Sequence, residues 1–264
     1  MKKVLVILLV LSISISAYAV YIGAGVTFVR PLDQQINTVG LIGHWKLWDG
    51  LMTTGLVFDY TLGGKVGTVT DTDAPAAPTL VSKYPGFDFD GANDYISIDH
   101  HSDFTPTLTP FSISTWIYVH NGTNFHIVSK GVLNTDAEWL FNTNSDNELS
   151  FLLYDENVDD CYIRRRVNGV EITENEWLHV VGTYDGGTSF EGMAVYQNGV
   201  NVGDAGNNAG AFVEVSVQQH NVWIGRYDAG YANGLIDDVM IWKKELSAVE
   251  VKNIYETTKW RYQR

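Results

Sequence analysis

Carboxylates, imidazoles and one thiol are the groups in this chain that could do chemistry, and their spacing decides how much. Acids gather at Asp155-Glu156 with Asp159-Asp160, and again at Glu171, Glu174 and Glu176. A pair of carboxyls about 5 Å apart would suit a retaining glycosidase. Neither cluster has the period-two spacing that sets carboxylates side by side on one face of a strand, and both adjoin turn residues. Cys161 is the only cysteine. It follows two aspartates, whose charge raises a thiol pKa and makes a poor nucleophile, and alone it excludes an intrachain disulfide. His100 and His101 alternate faces of an extended chain, so they do not serve one ion. His179 reads as a hydrogen-bonded core histidine. Gly-x-Ser-x-Gly, His-Glu-x-x-His and Gly-x-x-x-x-Gly-Lys patterns do not occur. These residues predict a protein that binds and does not catalyse.

The elements that must position them are strands. From Leu41 onward, short runs of alternating apolar and polar residues are bounded by Gly, Asn, Asp or Pro, as strands joined by turns require. The runs are 42–47, 86–89, 95–98, 111–119, 125–130, 138–143, 148–154, 161–167, 177–185, 192–197, 200–204, 222–226 and 234–242. Asn198-Gly199 between two apolar runs suits a type I′ hairpin. Phe111, Ile113, Thr115, Ile117 and Val119 fall on one face, while Ser112, Ser114, Trp116 and Tyr118 fall on the other, which the aromatics predict is covered too. Trp45, Trp116, Trp177, Tyr95 and Ile241 read as core. One helix is expected: Ser247 caps it and Glu250 closes a capping box, with Val249, Ile254 and Trp260 covering a sheet edge. The fold class is therefore all-β, an antiparallel two-sheet jelly-roll sandwich with a short C-terminal helix.

Composition narrows the partners. Residues 1–19 begin Met1-Lys2-Lys3, run apolar from Val4 to Ile15 and reach Ala17-Tyr18-Ala19, the form of a cleaved secretory signal. That implies a secreted, extracellular or cell-surface protein with no membrane insertion after cleavage near Ala19; a retained anchor is the alternative reading. Residues 20–40 read as a leader or edge segment, and 41–264 as one domain. A net charge of −14 disfavours nucleic acid and anionic membranes, the run Arg164-Arg165-Arg166 being the one basic exception. It is compatible with oxygen-ligated Ca²⁺. With 45% apolar and 12% aromatic residues the chain has material for a sizeable core. Asn121-Gly122-Thr123 is a glycosylation sequon, meaningful in a eukaryotic host.

Seven segments in order carry a resemblance: Gly43-His44-Trp45, the Phe-x-Gly-x-x-Asp-Tyr segment at 89–96, Phe-Ser-Ile-x-x-Trp at 111–116, Ile-x-Ser-Lys-Gly at 127–131, Trp-x-His-Val-Val-Gly-x-Tyr-Asp-Gly at 177–186, Tyr-x-Asn-Gly at 196–199 and Gly-Leu-Ile-Asp-Asp-Val at 234–239. Together they resemble the laminin G-like jelly rolls of the concanavalin A-like lectin/glucanase superfamily, over about 41–257. Glycosidases of that superfamily carry Glu-x-Asp-x-Glu on one strand, and this chain has no such triplet.

The segment Asp146-Asn147-Glu148-Leu149 is similar to one from which pentraxins, relatives of this fold, supply an acidic and an amide ligand to Ca²⁺. Their partner segment corresponds to Gly225-Arg226-Tyr227-Asp228. The resemblance implies Ca²⁺ at Asp146, Asn147 and Asp228. Arg226 and Tyr227 stand where a further acid is wanted, and Arg226 is placed to pair with Asp146 instead. A separate structural ion at Asp90 or Asp237 is the alternative; Asp237 and Asp238 should alternate faces. Sugars need aromatic platforms beside polar forks, and Trp139, Tyr154, Tyr227 and Tyr231 lie near these segments in sequence. Three readings stay open: a lectin-like module binding carbohydrate or a cell-surface glycoconjugate, calcium-dependent or not; a structural or protein-protein adhesion domain of an envelope or extracellular particle; and, furthest from the residues, a glycoside hydrolase.

Overall fold

The computed structural model describes residues 36–47, 55–70, 85–158 and 161–263, together with the backbone of a hairpin between Tyr18–Ile22 and Gly25–Val29. The basic start and the apolar run assigned to a secretory signal lie outside the described residues. Asp159 and Asp160 do as well.

Alternating strands that must each bury one face leave one economical solution, two sheets laid face to face. Among the described residues the first sheet has nine strands, in the order Ala205–Ala209, Tyr162–Arg166, Leu149–Tyr154, Trp139–Thr143, His126–Lys130, Val222–Ile224, Tyr95–Ile98, Gly67–Thr70 and Leu56–Val57. The second has seven: Val200–Asn201, Met193–Gln197, Trp177–Tyr184, Phe111–Val119, Asn233–Trp242 and Leu41–Trp45, with Phe87–Asp90 also pairing to Asn233–Trp242. Every strand expected from the sequence is present and the pairing is antiparallel throughout. Phe111, Ile113, Ile117 and Val119 of one sheet meet Trp139, Phe141, Phe151 and Leu153 of the other in a single core. Each such side chain contributes about 1.5–3 kcal/mol on burial, which suits a chain without disulfides.

The outer face of the seven-stranded sheet is closed. Ala248–Thr258 is the expected helix, with Ser247 and Glu250 forming the capping box. Its Val251 and Ile254, one turn apart, pack with Leu246 on outward-facing Met240, Trp242 and Val181. Tyr262 then stacks on Trp116, ring centroids 4.2 Å apart. The helix thus covers a face and not an edge. Val249 and Trp260, expected beneath it, are 69% and 51% exposed, because the i, i+3 stripe that meets the sheet is Val251 and Ile254.

Buried polar groups tie this layer down. Asp237 accepts from the Leu47 N–H at 2.8 Å and the Tyr262 hydroxyl at 2.6 Å, and Asp238 pairs with His44 at 2.6 Å and with Arg261. The sequence expectation that these two aspartates face opposite ways is corrected. The register shifts between Asp237 and Met240 and Asp238 has φ 53°, a bulge that turns both carboxylates toward the C-terminal segment. His179 is fully buried, as expected, with Nε2 2.9 Å from Ser114 Oγ. Burial holds its pKa down to about 3, against the pull of Asp238.

Candidate functional site

Among the described residues no helix lies over the outer face of the nine-stranded sheet; outward-facing Leu140, Asn142, Ser150 and Leu152 are nonetheless buried, while Trp223 and Tyr95 are only half-buried. In Val222–Ile224, Val222 and Ile224 enter the core and Trp223 points outward. Its register neighbours are Ser97 and Ser129, with Tyr95 one step along on the same face.

Beyond Ile224 the chain turns at Gly225, φ 82°, where a Cβ would run into the Phe89 ring. Glycine there permits the short hairpin Arg226–Tyr227 with Gly230–Tyr231 to fold over the sheet. Ser129 Oγ donates to the Arg226 carbonyl at 2.7 Å and fastens it. A Cβ at Gly230 would strike the His126 ring, so the hairpin rests directly on that histidine.

The hairpin places Arg226 among aromatic rings. Its guanidinium carbon is 4.1 Å from the Trp223 centroid, 4.6 Å from Tyr95 and 5.4 Å from Tyr231. Tyr95, expected in the core, is instead a half-buried member of this outer cluster, since the alternation of Tyr95–Ile98 sends Ile96 and Ile98 inward.

Beside Trp223 lies a hollow of about 430 Å³ lined by Asp136, Gln218, Gln219, His220, Asn221 and Trp223. His220 meets Trp223 edge-on, centroids 4.2 Å apart at 86°. Asn221 is spent on structure, its amide reaching Ser97 Oγ at 3.0 Å and the His100 N–H at 3.0 Å. Among the described residues the side-chain amides of Gln218 and Gln219 bond to no protein group, so their donors and acceptors are available.

A buried ion pair sets the position of this loop. Lys130 and Glu138 are fully buried and bonded to each other. Lys130 Nζ also donates to the Gln218 carbonyl at 3.1 Å, while Glu138 accepts from the Gln218 N–H at 2.9 Å and from Thr105 at 2.6 Å. Burial pushes the Lys130 amine down and the Glu138 carboxyl up, and each partner opposes the other's shift. The pair thus grips the Gln218 backbone from both sides.

Next to this region, a polar row crosses the sheet. His126 lies opposite Asn142, and Asn142 opposite Ser150. Burial lowers the His126 pKa to about 4, with Asp228 acting against it. His126 Nδ1, Asn142 Oδ1 and Ser150 Oγ are buried without hydrogen-bond partners.

The residues nominated from sequence separate. Tyr231 joins the Arg226 cluster. Tyr154 and Tyr227 lie near each other, rings nearly parallel at 14°, but both are 7% exposed and pack with Leu140 and Leu152 as floor beneath the hairpin. Burial pushes Tyr154 up to about 12. Trp139 is corrected: it is fully buried between the sheets, its indole donating to the Phe104 carbonyl at 2.8 Å, because odd positions of Trp139–Thr143 face inward.

Asp146 is exposed in the turn after Trp139–Thr143, its N–H held by Asn144 Oδ1 at 2.9 Å. Asn147 has φ 59° there, and Asp228 has φ 52° at the hairpin tip. Glu148, the second acid of that turn, is committed to Arg166, Asn144 and the Gly169 N–H. Arg226 takes the Asp228 carbonyl at 2.9 Å rather than pairing with Asp146. Among the described residues no group of three or more His, Cys, Asp or Glu converges for a metal. Of the alternative pair, Asp90 caps its own turn through the Ala92 N–H at 2.7 Å, and Asp237 is sealed under the C-terminal segment, so neither offers an open ligand set. Cys161 is buried, and burial followed by the Asp155 charge raises its pKa.

Trp223, His220, Gln218 and Gln219 escaped the sequence reading, and Arg226 entered it only as a partner for Asp146. The signals were present: a tryptophan between two aliphatic strand residues, preceded by Gln218-Gln219-His220-Asn221, four polar side chains in succession.

Comparison with known proteins agrees with the fold. The laminin G model (Laminin_G_3) of the concanavalin A-like lectin/glucanases superfamily matches residues 90–252. No curated protein matches the chain. Among solved structures, the binding domain of botulinum neurotoxin DC in complex with rat synaptotagmin II superposes with TM-score 0.62 at 14% identity, over 84% of this chain and 52% of that one. The botulinum neurotoxin serotype D ligand-binding domain in complex with N-acetylneuraminic acid gives 0.60 at 17%, over 86% and 53%. A botulinum neurotoxin type C structure, described as dependent on two ganglioside molecules for cell entry, gives 0.58 at 16%, over 83% and 52%. This chain therefore spans about half the length of each. At such identities the likeness is one of fold.

Proposed function

Because this chain belongs to the concanavalin A-like lectin/glucanase superfamily, we propose that it is a secreted, non-catalytic module that binds carbohydrate on the outer face of its nine-stranded sheet. The observation that carries the reading is the hollow beside Trp223. A half-exposed indole gives a sugar ring a surface to stack on, and the free amides of Gln218 and Gln219 with the Asp136 carboxylate give its hydroxyls directional partners. The solved neighbours support a binding role, since they are binding domains, one holding N-acetylneuraminic acid. An extracellular setting rests on the Met1-Lys2-Lys3 start and the apolar run after it; among the described residues no helix is long and apolar enough to cross a membrane. Glycan-array binding by the full chain, lost on Trp223→Ala with melting unchanged, is the expected result. An array signal indifferent to that substitution would move the site elsewhere.

Calcium enters only as a weak accessory ligand at Asp146, Asn147 and Asp228. Two carboxylates and an amide, with Glu148 committed elsewhere, place the affinity at the millimolar end, on the order of 10⁻³ M. EDTA should then leave the melting temperature within about 1 °C.

A protein partner is the second reading, and one observation favours it. Leu56, Phe58, Tyr60, Leu62 and Val66 project from the edge strand and the turn that follows it, with Leu62 fully exposed. Pull-down sensitive to Leu62→Asp and indifferent to free sugars would support this role.

A further inference from the structure

Resting on the carbohydrate reading of this face, we infer that the ligand is an acidic sugar whose carboxylate or sulfate is gripped by Arg226. The hairpin carries a charge left without a counter-charge. The chain carries 31 acidic and 17 basic side chains. Arg166, Lys243, Lys244, Lys259 and Arg261 each have a carboxylate within ion-pair distance. Among the described residues Arg226 has none, as is also true of Lys46, Arg164, Arg165 and Lys252, but Arg226 is set against three aromatic rings. Its Nε is used on the Asp228 carbonyl, and its two terminal nitrogens donate to no group of the described residues.

Three rings hold this guanidinium in place. The contacts stabilise the partly desolvated cation without neutralising it. They also remove side-chain freedom before a ligand arrives, so the planar fork is preorganised for an anion with two oxygens. Solubility does not require such an arrangement, since an arginine in water serves that purpose unaided.

Trp223 joins the two parts of the site. The ring that carries Arg226 also lines the hollow, so an anion at the guanidinium and a sugar ring in the hollow are neighbours. The Gln218 and Gln219 amides suit hydroxyls, and Asp136 in the same lining repels a second negative charge. One acidic group per residue of ligand, directed toward the hairpin, is the pattern that fits. Asp228, the nearest acid along the hairpin, lies beside His126, whose pKa it influences.

The test compares a glucuronate-terminated oligosaccharide, its carboxyl-reduced glucose counterpart, a 6-sulfated hexose oligosaccharide and acetate, by calorimetry on the full chain. The expected result is at least about 10-fold tighter binding of the glucuronate or sulfated form than of the neutral one, with the preferred acid identifying the natural group. Arg226→Gln should abolish that preference, and Arg226→Lys should restore part of it. Equal affinity of wild-type protein for acidic and neutral forms overturns the inference and leaves the carbohydrate reading standing. Acetate binding as tightly as the glucuronate overturns it too, since charge alone would then suffice. If none of the sugars perturbs the Trp223 indole signal by NMR, both readings fall. The wild-type comparison holds even if the Arg226 variants unfold.

Discussion

Trp223 and the Lys130–Glu138 pair do opposite kinds of work, and single substitutions separate them. Trp223 is half-exposed and rests on polar neighbours, so Trp223→Ala should cost more than 10-fold in sugar affinity while stability changes by about 1 kcal/mol or less, measured by calorimetry and thermal melting. Lys130→Met strands a buried carboxylate. It should destabilise by about 3–5 kcal/mol in denaturant melts, and the double variant Lys130→Met with Glu138→Leu should recover most of that loss. The double variant still frees the Gln218 backbone on both sides, so sugar affinity should remain weak when stability has returned. At this scale the sequence was partly legible. His179 is buried as read, since a histidine inside an apolar strand has few other places to be, and Cys161, read as a poor nucleophile, has its pKa raised as expected. Trp139 was nominated for the surface because it flanks a polar loop, and only the phase of its strand decides that its indole faces in. The Arg226 cluster brings together Tyr95 and Tyr231, which are far apart in the chain, and no local pattern announces that meeting.

Among the elements, the hairpin Arg226–Tyr227 with Gly230–Tyr231 and the terminal helix are the additions to the plain sandwich that bear on the site. Gly225→Ala combines a positive φ with a clash into the Phe89 ring. It should destabilise by about 2 kcal/mol or more and displace Arg226, visible as a shifted Trp223 indole resonance. Ser247→Ala removes the capping hydroxyl and should cost about 1 kcal/mol without touching sugar binding. The capping box was legible because its geometry is local and needs two side chains three residues apart. Leu56–Val57, Gly67–Thr70 and Ala205–Ala209 were not. Ala-Gly-Asn-Asn-Ala has no apolar alternation, and its strand exists through backbone pairing with Tyr162–Arg166. Arg226 was absorbed into the preceding strand because the break depends on Gly225, whose φ a sequence does not display. The Asp237–Asp238 bulge was hidden for the same reason.

For the molecule as a whole, acid should be the weak condition. His126 and His179 stay neutral in the fold, with pKa values lowered from 6.5 to about 4 and about 3. Below pH 6.5 the unfolded chain binds two protons there that the fold refuses, so both histidines make stability fall as pH drops toward 4. Asp237, raised from 3.8 to about 7 by burial and by Asp238, acts in the other direction. Between those values the fold keeps a proton that the unfolded chain releases, and this contribution weakens as pH rises. With two histidines set against one aspartate, stability should fall on acidification from 6.5 toward 4. Melting temperature as a function of pH checks it, and His126→Gln should flatten the slope.

The helix seals one broad side of the sandwich with Val251, Ile254 and the Tyr262–Trp116 stack, and the other broad side is left to Trp223 and Arg226. A brick with one plastered wall has a front and a back. Whatever tethers it, a resin, a scaffold or a neighbouring subunit, should be joined at the plastered side, where capture capacity survives; gluing by the opposite side would mask the sensor it was meant to display.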